Sequence, residues 1–336
     1  MRMRLKSKLE DDVAAYQKSV VILTAASGGV FDLFLKNELW DVPAAARRLK
    51  WTERGTQIIF NALCALGYLT KSEEMYTLTP AAQELFQEED FELLKEWLLH
   101  RQRLMNRWVR LPEVLETGEP IRKADKRERK KNHRNFILSM AHRAKETLPQ
   151  LLELVNLSGR QHLLDLGGGP GVFSIGFVKK YPELKATVFD SAETEPIARE
   201  FFQASGVQDR LSFRAGDFLE DNLGGPYDAA LLSSVLHIYS SQENLKLLQK
   251  VYRALEEGGI IVIRDFFFNA NKTNPVDAAL FAVNMLVNTE RGNVYSLNEV
   301  KDWLQEVGFR KIKKVKLRGS FRLIIAEKPA AGEGSR

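Results

Sequence analysis

Apolar residues recur three and four positions apart through the first part of the chain, which is the spacing of an amphipathic helix. The pattern runs over residues 8–27, and shorter helical patterns follow at Val42–Leu49 and Glu53–Leu66. Two short runs, 67–70 and 75–80, then flank a polar turn and predict a β-hairpin. We therefore expect a small, mostly helical N-terminal domain that ends in a hairpin.

The order of helices and hairpin is that of a winged helix–turn–helix, and we assign it to residues 1–90. Such folds often read DNA through the second motif helix. Here that helix, Glu53–Leu66, carries only the charges of Glu53 and Arg54, and its other prominent side chains are apolar. It offers little to phosphates or base edges. The pattern favours a protein interface over nucleic-acid binding.

A mostly helical connector is predicted for residues 91–155. The last helix of this connector leads directly into the next strand, so one of its ends should lie near whatever binds there. His142 falls off the main face, and we interpret it as an ordinary exposed or hydrogen-bonded side chain. That main face carries Phe136, Met140, Arg143, Ala144, Thr147 and Leu151.

Strand and helix patterns alternate through residues 156–329. This alternation predicts an α/β domain with a doubly wound Rossmann-like sheet, whose ligands bind at the carboxyl ends of the strands. The helix pattern Glu243–Glu257 is followed by an apolar strand, Gly259–Phe268, and Ser296 with Glu299 has the form of a capping box. Residues 330–336 are small and polar and are predicted to be a disordered tail.

A glycine-rich turn follows the first of these strands. It reads Asp-x-Gly-x-Gly-x-Gly, with Asp165, Gly167, Gly169 and Gly171. A loop so poor in side chains allows a ligand to lie against backbone N–H groups and the positive end of the next helix. A phosphate-binding P-loop would need Lys and Ser or Thr after the last glycine, and a dinucleotide fingerprint would need a small residue where Val172 stands.

Each of the next two predicted strands ends at an aspartate. Asp190 is placed to accept hydrogen bonds from both hydroxyls of a ribose. Asp217 and Phe218 would place an acceptor at an adenine amine and a ring on the adenine face. An aspartate at a strand end is also commonly a helix cap, but the three features occur in the right order for an adenosine-containing ligand.

The glycine motif resembles the first motif of the class I S-adenosylmethionine-dependent methyltransferases. The run Asp228–Tyr239, the pair Gly258–Gly259 and the strand end Arg264–Asp265 narrow the resemblance to O-methyltransferases related to caffeate, acetylserotonin and bacterial polyketide enzymes. The resemblance covers nearly the whole chain. It implies a seven-stranded methyltransferase sheet, S-adenosylmethionine as the cofactor, S-adenosylhomocysteine as its product, and a homodimer formed through the winged-helix domain.

The resemblance also assigns roles to residues. Cofactor-binding positions match Gly167, Asp190, Asp217 and Phe218, to which we add the rest of the glycine motif and Ser233. His237 matches the catalytic base, Asp265 an acidic partner beside it, and Met140 a methionine that packs on the substrate. His237 also follows an apolar strand at its carboxyl end, where an imidazole could remove a proton, although a structural histidine that caps the next helix remains an alternative.

Two positions depart from the plant enzymes. Val294 stands where they have a second glutamate opposite the base, and Ser233 replaces a lysine four residues before the histidine. The first change weakens the case for orientation of the base by two carboxylates. The second implies different adenine contacts.

The acceptor pocket should be closed by the connector helix and by the insertion Pro275–Asn288. We predict that its walls include Phe136, Met140, Phe281, Asn284 and Met285. Walls of Phe and Met with few charges suit a planar aromatic or polyketide-like hydroxyl acceptor. The alternatives are carbon methylation of a tetrapyrrole or quinone-like ring, methylation of RNA or protein, and a DNA-binding regulator that senses S-adenosylmethionine.

Composition adds limits to these hypotheses. The single cysteine and five scattered histidines argue against disulfides and a bound metal, and no early run looks like a signal core or a membrane span, so we expect a cytoplasmic protein. The net charge is +5. Eight Lys or Arg residues cluster within Arg122–Arg134, which we interpret mainly as a solvated segment.

Overall fold

A computed structural model describes residues 2–35, 38–87, 91–121, 126–317 and 319–330. The chain divides into two compact units, Met1–Asn106 and Arg107–Arg336. The first four residues of the basic segment Arg122–Arg134, and residues 331–336 of the predicted tail, lie outside the described residues. The predicted division at residues 90 and 155 stays a prediction.

The first unit has the predicted order of helices and hairpin. Its elements are α1 (Arg2–Ala14), α2 (Tyr16–Ser27), α3 (Val30–Leu33), α4 (Val42–Leu49), α5 (Glu53–Ala65), β1 (Leu69–Ser72), β2 (Met75–Leu78), α6 (Pro80–Gln87) and α7 (Phe91–Trp108), the last of which continues into the second unit. The helical pattern predicted over residues 8–27 is found as two helices, α1 and α2, which are divided at Ala15. That residue keeps helical angles, φ −57° and ψ −28°, so the helical apolar spacing continues across the division.

An aromatic core holds the first unit together. Phe60 and Tyr76 meet edge to face at 5.1 Å, which joins α5 to the hairpin, and Phe31 stacks on Phe86 at 4.3 Å. All four rings are buried. Helix α5 begins where the Thr52 hydroxyl accepts a hydrogen bond from the Gly55 N–H.

The second unit alternates strands and helices. Its elements are α8 (Leu111–Thr117), α9 (Lys126–Leu154), β3 (His162–Leu166), α10 (Val172–Lys180), β4 (Lys185–Asp190), α11 (Glu195–Ser205), β5 (Leu211–Ala215), β6 (Tyr227–Ser233), α12 (Ser241–Ala254), β7 (Leu255–Phe268), α13 (Val276–Asn288), β8 (Tyr295–Ser296), α14 (Leu297–Val307), β9 (Arg310–Lys316) and β10 (Phe321–Glu327). The predicted helix end at Glu257 is wrong: the helix ends at Ala254, because Leu255 is already extended and pairs with Tyr227.

The strands form one sheet in the order β5-β4-β3-β6-β7-β10-β9, and the two-residue β8 pairs with β7. Strands β3 to β7 run parallel, whereas β10 is antiparallel to both of its neighbours. The predicted doubly wound, seven-stranded sheet is thus confirmed, with one short strand added. The strand order reverses between β3 and β6, and such a switch point opens a crevice at the carboxyl ends of the strands.

Apolar side chains cover both faces of this sheet. On one face, β3, β6 and β7 pack against α9 and α10 around Leu151 and Phe177. On the other, alternate residues of the same strands pack against α12 and α14 around Leu247 and Leu304. The predicted capping box at Ser296 and Glu299 is confirmed. These two layers hold the carboxyl ends of the strands in place around the crevice.

Candidate active site

The glycine-rich turn between β3 and α10 needs its glycines for conformation and for close approach. Gly167, Gly169 and Gly171 all have positive φ, between +56° and +78°. A Cβ on Gly167 would lie 2.8 Å from the side chain of Val235 and 3.4 Å from the Phe218 ring, whereas Gly169 faces open space. The turn thus presents bare backbone at the switch point of the sheet.

Asp165, on β3, joins the strand before the glycine-rich turn to the helix after it. Its carboxylate is fully buried, and Oδ2 accepts a hydrogen bond of 2.7 Å from the Ser174 hydroxyl in α10. The other oxygen, Oδ1, has no hydrogen-bond partner among the described residues. Burial raises the pKa of Asp165 to about 6. Asp165 therefore supports the turn and the first helical turn of α10.

Asp190 lies at the carboxyl end of β4, as predicted, and is held by a network. Its Oδ2 accepts from the Gly169 N–H at 2.9 Å, which ties it to the glycine turn. Its Oδ1 accepts from the Ser191 N–H and from the buried Thr194 hydroxyl. Thr194 in turn lies 3.1 Å from Nε2 of His133 on α9. Neither Thr194 nor His133 was singled out from the sequence.

Asp217 and Phe218 follow β5. The Asp217 carboxylate accepts from the Leu219 and Glu220 N–H groups at 2.8 and 3.2 Å, so it also caps its own turn. The Phe218 ring lies beside Gly167 and meets Tyr239 edge to face at 6.4 Å. Burial and then the charge of Asp217 raise the pKa of Tyr239 to about 12. Phe218 and Tyr239 form an aromatic wall beside the glycine turn.

His237 lies in a short 3₁₀-helix, Leu236–Ile238, directly after β6. Its Nδ1 is 2.7 Å from Oδ1 of Asp265, and the same oxygen accepts from the Phe266 N–H. Both side chains are nearly buried. An ionised carboxylate accepts only, so the shared hydrogen sits on Nδ1 and Nε2 keeps a free lone pair. The hydrogen bond to Asp265 therefore holds the imidazole in one orientation.

Helix α13 packs against this histidine. The Phe281 ring meets the imidazole edge to face at 4.8 Å and stacks on Phe266 at 4.1 Å. Asn284 Oδ1 accepts from the Trp108 indole N–H, which fixes the amide and leaves its Nδ2 as the donor end. Met285 is buried on the same helix.

The other predicted acceptor residues lie on α9. Phe136 is exposed and Met140, four positions later, is half-buried. Val294, the departure from the plant pattern, is buried in an apolar cluster with Phe268 and Ala278. The contribution of Phe136 and Met140 to acceptor binding stays a prediction.

Arg264 is a buried charge that the sequence analysis noted only as a strand end. On β7 it donates to the Ser233 hydroxyl from Nη1 and to the Thr147 hydroxyl from Nη2, each at 3.1 Å. The signal that could have found it is a charged residue within the apolar strand 260–268. Ser233, predicted to bind the cofactor, is thus the hydrogen-bond partner of a buried cation.

Over the described ranges, no three His, Cys, Asp or Glu side chains are grouped as a metal site would require. Among the helices described, none has the length and apolar character needed to cross a membrane.

Comparisons with known proteins agree with this geometry. A family model described as an O-methyltransferase domain matches residues 113–310. The chain is 30% identical over 318 residues to 3-hydroxy-5-methyl-1-naphthoate 3-O-methyltransferase of Streptomyces sahachiroi, covering 92% of this chain and 90% of that protein. It is 27% identical over 283 residues to L-tyrosine C(3)-methyltransferase of Streptomyces lavendulae, covering 80% and 76%.

The fold matches the crystal structure of human N-acetylserotonin methyltransferase in complex with SAM, with a TM-score of 0.85, 24% identity, and 97% and 98% of the two chains covered. The family model spans more than half of this chain, and the naphthoate enzyme is similar over nearly all of it. The chain therefore belongs to the O-methyltransferase family, and it is an S-adenosylmethionine-dependent O-methyltransferase.

Proposed function

We propose that the enzyme methylates a hydroxyl group on an aromatic or polyketide-like small molecule, with His237 as the general base. The observation that carries this proposal is the His237–Asp265 pair at the carboxyl end of β6, with the Phe281 ring against the imidazole. The similar Streptomyces enzyme is named for a hydroxynaphthoate, which is an acceptor of this class.

The residues at the switch point fit the methyl donor. The turn at Gly167 and Gly169 leaves room that side chains would fill. Asp190 ends β4, and its Oδ2, which accepts from the Gly169 N–H, has a lone pair left for a further hydrogen bond. Phe218 supplies an aromatic face beside them. We assign the donor's adenosine to this turn, with Asp190 on the ribose and Phe218 on the adenine.

The bound donor supplies an electrophilic methyl group on a positively charged sulfur. The protein must bring the acceptor oxygen into line with that methyl group, exclude water and remove the hydroxyl proton. In our proposal Nε2 of His237 takes the proton, and Asp265 holds the ring through Nδ1–H and stabilises the imidazolium that forms. A base so positioned contributes about 10² to 10⁴ in rate.

Three phenylalanine rings pack in a row that begins at His237. Phe281 stacks on Phe266, and Phe266 lies 4.3 Å from Phe321. Flat apolar walls of this kind favour planar acceptors, because ring faces and edges pack at such distances. The row supports an aromatic acceptor more than a flexible aliphatic one.

Carbon methylation of an aromatic, tetrapyrrole or quinone-like ring is the second candidate. It is favoured by one observation, the similarity to a relative named as an L-tyrosine C(3)-methyltransferase. The position of the new methyl group in the product distinguishes the two, because an ether methyl and a ring methyl have different carbon chemical shifts.

We further propose that two copies of the chain pair through the N-terminal unit. Every side chain described on α1 is exposed, and an apolar stripe continues from α1 onto α2. Its residues are Leu5, Leu9, Val13, Tyr16 and Val20. A stripe repeating at three and four residues is suited to packing against a second helix. A cytoplasmic location also remains our prediction.

The test of the proposed function uses methyl-labelled S-adenosylmethionine with a panel of 1-naphthol, 2-naphthol and hydroxynaphthoates. We expect label in an organic-extractable ether, and its loss in the variant His237→Ala. Label only in RNA or protein from an added lysate would overturn the acceptor class. Binding of S-adenosylhomocysteine by calorimetry tests the donor site separately.

A further inference from the structure

Arg264 lies on β7 opposite Ser233, the last residue of β6, on the face of the sheet that packs against α9 and α10. Only 3% of its surface is exposed, and its guanidinium carbon lies 3.6 Å from the centre of the Phe321 ring. Its hydrogen bonds go to the hydroxyls of Ser233 and Thr147. The guanidinium is thus enclosed by a ring and two neutral oxygens.

This charge lacks a counter-ion. Across the described ranges no ion pair includes Arg264, and its Nε, which is buried, has no hydrogen-bond acceptor. Asp265, the next residue, points to the opposite face of the strand, where it holds His237. Burial lowers the pKa of Arg264 to about 10, so the group is still charged at neutral pH. A buried cation without an anion costs free energy that a bound anion would recover.

The arginine stands close to the glycine turn. Its guanidinium carbon lies 5.4 Å from the ring centre of Phe173, the second residue of α10. The N-cap of that helix is Gly171, and the buried Asp165 carboxylate already accepts from Ser174 in its first turn. The buried arginine therefore lies beside the place that we assign to the methyl donor.

Ser233 lies between Arg264 and the proposed donor site at the glycine-rich turn. It is half-buried, and Val235, two residues later, touches the position of a Cβ on Gly167. Because the Ser233 oxygen accepts from Arg264, its own hydrogen is free to donate elsewhere, and the neighbouring cation strengthens it as a donor. Thr147 differs, because its hydroxyl hydrogen is directed at the carbonyls of Arg143 and Ala144.

We propose that Ser233 and Arg264 form a subsite for a ligand carboxylate, in which the Ser233 hydroxyl donates to the carboxylate and Arg264 supplies the compensating charge behind it. Two ligands of this enzyme class can bring that chemistry: the methionine part of the donor, or an aromatic acceptor that carries an acid group. The inference rests on the proposed function. Arg264 is a positioning residue in this arrangement, and Ser233 makes the contact.

The experiment measures dissociation constants by calorimetry for matched ligands with and without a carboxylate. For the donor, the pair is S-adenosylhomocysteine and 5′-methylthioadenosine. For the acceptor, measured on the complex with S-adenosylhomocysteine, the pair is 3-hydroxy-2-naphthoate and 2-naphthol. The variants are Ser233→Ala, Arg264→Gln and the charge-keeping Arg264→Lys. Arg199→Gln is the control, since that exposed arginine on α11 already pairs with Glu195.

We expect Ser233→Ala and Arg264→Gln to weaken binding of one carboxylate ligand about tenfold or more, because hydrogen bonds to charged groups contribute about 1.5–3 kcal/mol. The matched ligand without a carboxylate should change by less than about twofold, and Arg264→Lys should recover part of the loss. A selective loss for S-adenosylhomocysteine identifies the donor's carboxylate, and a selective loss for the hydroxynaphthoate identifies the acceptor's.

Equal changes within both ligand pairs, or no change, would overturn the subsite and leave Arg264 a structural residue. Ser233→Ala removes one hydroxyl from a half-buried position, so it decides the question even where Arg264→Gln does not fold. Failure of the unmodified enzyme to bind either S-adenosylhomocysteine or 5′-methylthioadenosine would instead overturn the donor site itself, and with it the proposed function.

Discussion

The two sides of the crevice are built by different means. On the proposed donor side, the glycine turn, Asp165 and Asp190 are joined by short hydrogen bonds to backbone and hydroxyl groups. On the proposed acceptor side, the hydrogen-bonded pair His237 and Asp265 is packed against aromatic rings. A polar network is suited to the methyl donor, which is the same in every reaction. Aromatic walls select the acceptor by its shape and so can bind a class of related molecules.

The sharpest test of this difference is His237→Ala. We expect turnover to fall by about 10² to 10⁴, because the base that removes the acceptor proton is lost, while affinity for S-adenosylhomocysteine stays within about twofold. Single-turnover rates and calorimetry measure the two quantities. His162→Ala is the control, since that exposed histidine lies at the opposite, amino end of β3. Turnover close to that of the control would remove His237 from the role of base.

Asp165→Asn tests the support beneath the glycine turn. Burial raises the pKa of Asp165 from 3.8 to about 6, so the folded state favours the protonated form. The stabilisation is therefore full below about pH 4 and is lost as the pH rises through 6. We expect the free energy of unfolding of the unmodified protein, relative to the variant, to fall by about 2 kcal/mol between pH 4 and pH 7.

Urea unfolding of both proteins at several pH values measures this difference. The amide keeps the size of the side chain but cannot lose a proton in this range, so the comparison isolates the titration of Asp165. A difference in stability that is constant with pH would show that folding does not raise the pKa of Asp165.

Asp190→Ala should affect the donor side alone. We expect affinity for S-adenosylhomocysteine to fall about 10- to 100-fold, because charge-assisted hydrogen bonds to the ribose are lost. Turnover at saturating donor should fall much less. Calorimetric titration measures the affinity, and steady-state kinetics measure the turnover. Asp209→Ala, at an exposed aspartate, is the matched control. Unchanged affinity would contradict the ribose assignment.

Thr194→Val tests whether the connector helix supports the donor side. The buried hydroxyl joins Asp190 to His133 on α9, and valine keeps its shape without the hydrogen bonds. We expect affinity for S-adenosylhomocysteine to fall about two- to tenfold, since a neutral hydrogen bond contributes about 0.5–1.5 kcal/mol. Thr187→Val on β4, where the hydroxyl pairs with that of Ser212, is the control. An effect as large as that of Asp190→Ala would mean that the network, and not the carboxylate, binds the ribose.

Features that depend on residues close together in the chain were predicted correctly. The glycine motif, the capping box at Ser296 and the hydrophobic periodicity of the strands are local, and they predicted the sheet and its ligand-binding edge. The predicted end of an element was wrong where the local sequence allows either a helix or a strand. The pattern of residues 243–257 stays helical in character past Ala254, but pairing of Leu255 with Tyr227 ends the helix there.

The sequence by itself determined the order of elements, the glycine turn and the aspartates that end β4 and β5, because each depends on residues within one strand and its following turn. Tertiary structure alone decided that Thr194 links His133 to Asp190, that Phe281 meets His237, and that Arg264 is buried without an anion. These contacts join residues between 44 and 61 positions apart, or depend on what surrounds a side chain. Periodicity carries no information on such pairs, since it reports which face of an element is apolar and not what packs against it.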